Sequence, residues 1–70
     1  MMINEHDLAD WEVLPTTPLY SVPNKRYIKY ADGYYWFDHI DGIYSFCTTL
    51  SGDVIHLAAF ADVNELRKKD

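Results

Sequence analysis

Hydrophobic and polar positions alternate most cleanly over residues 26–60, where Asp32-Gly33, Asp41-Gly42 and Ser51-Gly52 interrupt runs of β-branched and aromatic residues. An Asp-Gly pair between such runs is a strong hairpin signal, because a two-residue primed turn needs positive φ at its centre. The runs cover residues 26–31, 34–40, 43–49 and 54–60, each an ordinary strand length. Two-residue loops pair Tyr30 with Tyr35 and Ile28 with Phe37, then Phe37 with Phe46 and His39 with Tyr44. The third hairpin pairs Phe46 with Leu57 and Thr48 with Ile55. This register collects Ile28, Tyr30, Tyr35, Phe37, Tyr44, Phe46, Ile55, Leu57 and Ala59 on one face. Tyr27, Lys29, Tyr34, Trp36, Asp38, Ser45, Cys47, Thr49, His56 and Ala58 fall on the other, with Ile40, Ile43 and Phe60 at one end. A one-residue slip would exchange the faces of a strand, so the agreement of three turns supports a four-stranded antiparallel meander.

The flanks carry weaker patterns. Residues 18–23 read as a short edge strand, where proline is tolerated, which makes the meander five-stranded. Residues 4–11 read as a helix capped by Asn4, with Leu8 and Trp11 three apart on one side. Pro15 ends any continuation. Asp62 and Glu65 stand at capping-box spacing, and Arg67, Lys68 and Lys69 suit a helix C-terminus, which predicts a short closing helix. The expected fold is mainly β (α+β): a four- to five-stranded antiparallel meander with short N-terminal and C-terminal helices. It is either an open sheet covered by the terminal segments or a small SH3-like barrel. The division is one domain over 1–70, with a covering segment at 1–17, the meander at 18–60 and the closing helix at 61–70.

Composition narrows the class. Seventy residues, 49% hydrophobic and 16% aromatic, suffice for one core and argue against disorder. A single cysteine, Cys47, permits no internal disulfide and points to a reducing, cytoplasmic setting. No signal peptide or membrane-spanning run is read in the sequence. The net charge is −5, and no lysine or arginine occurs over residues 31–66. Such a field repels nucleic acid over most of the surface and favours basic partners.

Candidate chemistry is sparse. The expected register sets Cys47 across from His56, a thiol and an imidazole that could serve as metal ligands or as nucleophile and base. Two ligands do not make a metal site, and no Cys-x-x-Cys, His-x-x-x-His, Gly-x-Ser-x-Gly or phosphate-binding loop occurs. No catalytic, cofactor or metal residue is assigned, and the chain is expected not to be an enzyme. Tyr27, Lys29, Tyr34 and Trp36 cluster on the outer face near one hairpin. Tyr and Trp on a polar surface are frequent interface anchors, so these four form the expected protein-binding site. The expected function is a small protein-binding module, an accessory or inhibitory factor acting on a larger protein. Two alternatives are a single-stranded nucleic-acid binder stacking bases on Tyr27, Tyr34 and Trp36, and a self-associating structural protein.

Overall fold

In the computed structural model, which describes residues 3–69, the first element is a short helix, α1 (Glu5–Ala9). Asn4 begins it as the sequence predicts: its side-chain carbonyl accepts the Asp7 N–H at 3.0 Å. Leu8 is fully buried beneath it. The chain then enters β1 (Glu12–Pro18), makes one 3-10 turn (Leu19–Ser21), and runs through β2 (Arg26–Tyr30), β3 (Gly33–Asp41), β4 (Tyr44–Thr49) and β5 (Val54–Ile55). The last strand, β6 (Asp62–Arg67), returns to lie between β1 and β2. All six belong to one open antiparallel sheet of order β1-β6-β2-β3-β4-β5, so β2 to β5 are the expected meander. Among the described residues, no helix is long and apolar enough to cross a membrane.

Three expectations about elements are corrected. Residues 61–70 do not form the predicted helix: β6 occupies this stretch and bonds to β1 on one side and β2 on the other. A helix of at most two turns has little stability of its own, whereas a strand here fills two ladders and buries Val63 and Leu66. The strand expected at 18–23 lies earlier, at Glu12–Pro18, and Leu19–Ser21 is a 3-10 turn. Pro15 and Pro18 fit β1 because it is an edge strand, where a missing N–H costs no ladder bond. The strand expected at 54–60 is ladder-paired only at Val54–Ile55, followed by an isolated bridge between Ala58 and Tyr44. Residues 1, 2 and 70, the outermost positions of the predicted terminal segments, lie outside the described residues.

The register is corrected too, and the corrections differ in consequence. In the first hairpin the pairing is shifted by two, with Ile28 facing Tyr35 and Tyr30 facing Gly33. An even shift keeps every side chain on its face. The positive φ sits at Ala31 (51°) rather than at Gly33. Gly33 serves another need, since a Cβ there would meet the Tyr35 hydroxyl at 2.8 Å. In the second hairpin a bulge at Asp38 separates the pairs Phe37–Cys47 and His39–Phe46. That extra residue reverses the facing of β4. Ser45 and Cys47 point inward and are fully buried, while Tyr44 and Phe46 leave the expected core face. The third hairpin is shifted by one, setting Cys47 opposite Ile55. The two odd changes cancel, so Ile55 and Leu57 pack on the core as predicted.

The core comprises Leu19, Val22, Ile28, Phe37, Cys47 and Val63. The stretch after β5 crosses its open side. Ala59 N–H donates to Ile43 O at 2.8 Å, Tyr20 N–H donates to Ala59 O at 2.9 Å, and Leu19 N–H donates to Ala61 O at 2.9 Å. The start of β4 and the end of β1 belong to opposite margins of the sheet, so this stretch draws the margins together. The sheet therefore wraps its core without a ladder between β1 and β5.

Candidate functional site

The candidate reactive side chains make contacts within the fold. Cys47 is buried, and its Sγ lies 3.2 Å from the Ser45 hydroxyl. Burial pushes the thiol pKa up, against the smaller opposing effect of Ser45. The expected Cys47–His56 pair is not formed, because Cys47 faces Ile55 and His56 Nδ1 lies 2.8 Å from the Ser45 carbonyl oxygen. The expected His39–Tyr44 pair is replaced by His39 stacked on Phe46, with ring centroids 5.6 Å apart and planes 6° from parallel. His39 Nδ1 also lies 2.8 Å from Asp38 Oδ1, the contact that does most to lower the Asp38 pKa. Among the described residues, no group of three or more His, Cys, Asp or Glu side chains could hold a metal ion.

The four residues singled out in the sequence share one face as consecutive cross-strand pairs, Tyr27 with Trp36 and Lys29 with Tyr34. All four are half-buried. Tyr27 packs edge-on against Trp36 at 4.8 Å and against Trp11 at 5.5 Å, so three large rings interlock. Leu66 projects to the same face by strand alternation. Helix α1 borders it, where Asp7, Asp10 and Trp11 line a groove with Tyr27.

A different set of side chains is exposed. Tyr20, Ile43, Tyr44 and Phe60 are 61%, 68%, 53% and 71% accessible. They come from three separate segments that the bonds around Ala59 tie together. Ile43 accepts from Ala59 through its carbonyl, Tyr20 donates to Ala59, Tyr44 bridges Ala58, and Phe60 follows Ala59 in the chain. Local sequence explains each exposure. Gly42, at φ 66°, turns the β3–β4 connection so that Ile43 sits at its apex. Tyr20 is the middle residue of the 3-10 turn, whose preceding residue Leu19 takes the buried position. Tyr44 is turned outward by the reversal that buries Ser45.

Acids stand beside this apolar end. Asp41 is paired directly with Tyr44, and Asp62, two residues after Phe60, is paired with Pro18, two residues before Tyr20. Both are exposed. Two of the chain's bases are engaged elsewhere. Lys25 contributes to holding the Asp38 carboxyl low, and Arg26 Nε lies 3.5 Å from Glu65 Oε2. Sequence reasoning places Ile43 and Phe60 at one end but misses Tyr20 and Tyr44, because nothing local marks the bulge or the crossing of residues 57–61. Comparison of the chain with protein-family models, with curated proteins and with solved structures gives no match.

Proposed function

We propose that this protein is a non-enzymatic protein-binding module, an accessory or inhibitory factor that docks on a larger partner through the end bearing Tyr20, Ile43, Tyr44 and Phe60. The observation that carries the reading is the exposure of four large apolar side chains at one place in a chain of only 70 residues. Rings and branched chains in water at that density represent unsatisfied burial, which a partner surface can complete. A buried, unpaired Cys47 fits a reducing compartment such as the cytoplasm. Single-strand binding through Tyr27, Tyr34 and Trp36 has less support, since the Tyr27 and Trp36 rings are engaged edge-on with one another. Base stacking needs open ring faces.

The test is affinity capture from the source cells with wild type, Trp36→Ser and the double variant Tyr44→Ser/Phe60→Ser, each first shown folded by circular dichroism. Wild type and Trp36→Ser are expected to retain the same protein and the double variant to lose it. Retention by the double variant with loss in Trp36→Ser would move the contact to the Tyr27–Trp36 face. Capture of nothing by any form would remove the reading.

A further inference from the structure

Resting on that reading, we infer that the partner meets this end with a basic amphipathic segment: large apolar side chains that cover Tyr20, Ile43, Tyr44 and Phe60, flanked by lysine or arginine. The apolar half of this follows from the four exposed side chains. The charged half follows from their surroundings. Asp41 stands on the Ile43–Tyr44 side and Asp62 on the Tyr20–Phe60 side, so the apolar surface is bracketed by carboxylates. No lysine or arginine lies between residues 31 and 66, and the whole chain carries −5. Docking brings the residues that flank the partner's apolar anchors beside both carboxylates, where acids are repelled and bases attracted. Lysine or arginine beside the apolar anchors meets both carboxylates.

The same charges decide against other occupants. A second copy would bring two acidic rims together, and like charges facing one another at an interface resist association. A nucleic-acid backbone or an anionic lipid surface has the wrong sign.

A short fluorescent peptide of alternating leucine and lysine pairs serves as the probe, with binding read by anisotropy at two salt concentrations. Two control peptides replace lysine by glutamate or leucine by serine. The leucine–lysine peptide is expected to bind at least about tenfold more tightly than either control. Tyr44→Ser/Phe60→Ser is expected to weaken it about tenfold, and Ile43→Ser, at an exposed turn apex with little bearing on folding, several-fold. Asp41→Asn/Asp62→Asn is expected to weaken it several-fold and to flatten its salt dependence. Equal binding of the lysine–serine peptide would reduce the effect to bulk charge and overturn the inference, as would equal binding of the leucine–glutamate peptide. A mass in light scattering that rises with concentration for wild type but not for Tyr44→Ser/Phe60→Ser would identify a second copy as the occupant, against the inference. Failure of the peptide, while a cellular partner is still captured through Tyr44 and Phe60, would reject the basic segment and leave the binding module standing. Failure of both removes both.

Discussion

Ser45 shows how much of this small fold hangs on single polar atoms. Its hydroxyl donates to Leu57 O at 2.9 Å and accepts from Leu57 N–H at 3.1 Å, in a residue with no exposed surface. It thereby replaces the ladder partners that Leu57 lacks beyond the short β5. Ser45→Ala would leave both backbone groups of Leu57 without that partner, and urea unfolding is expected to show a loss of about 1–3 kcal/mol. Ala31 gives the opposite sign. It holds φ at 51°, a left-handed conformation that costs an L-residue with a Cβ about 1 kcal/mol. Ala31→Gly is expected to gain about 0.5–1 kcal/mol in the same measurement. Asp38 supplies a pH dependence. Its carboxyl is held below its ordinary value, chiefly by the hydrogen bond with His39 and in smaller part by Trp36 and Lys25. A depressed carboxylate contributes stability that is present above its unfolded pKa, about 4, and lost as pH falls through the folded value. The stability difference between wild type and Asp38→Asn should therefore be present at neutral pH and vanish in acid.

At the scale of elements, the legible parts are those whose signals are local. The Asn4 cap needs only Asp7 three residues on, and the meander's turns carry glycine or aspartate where the chain reverses. The strand nature of β6 is invisible on the same grounds. Asp62, Glu65 and the closing bases mimic helix punctuation, and the ladders that override them come from β1 and β2, distant in sequence. The bulge is equally silent, since nothing in Phe37-Asp38-His39 marks an extra residue. It decides whether Tyr44 or Ser45 faces water, and so whether Tyr44 joins the exposed apolar end. The central place of β6 has a testable consequence. Asn64→Pro removes a donor from a strand paired on both sides, a position where proline is essentially never accommodated. In a domain this small that should abolish cooperative thermal unfolding in circular dichroism.

At the scale of the whole molecule, the sheet is held in shape by pairings between its extremes. Val13 faces Leu66, Thr17 faces Val63, and the 57–61 stretch reaches back to Leu19 and Tyr20. Closing such long loops before contacts reward them makes folding slow for the size. Stopped-flow refolding monitored by Trp fluorescence should fall in the millisecond-to-second range typical of non-local β folds. The aromatic face of Tyr27 and Trp36 was readable from residue type and alternation. The exposed end was not, because it assembles residues from three segments whose meeting depends on this global closure.

The side-by-side placement of β1 and β6 also fixes how the molecule answers to tension. Glu12 at the start of β1 faces Arg67 at the end of β6, joined by a contact of 2.7 Å. A force drawing these two points apart acts across the strands, along the hydrogen bonds rather than along the chains. It meets the rungs one at a time, beginning with Glu12–Arg67 and moving to Val13–Leu66, and never stretches them all at once. The sheet should therefore unzip at small force from this corner, with β1 peeling away before the β2–β5 meander feels any pull.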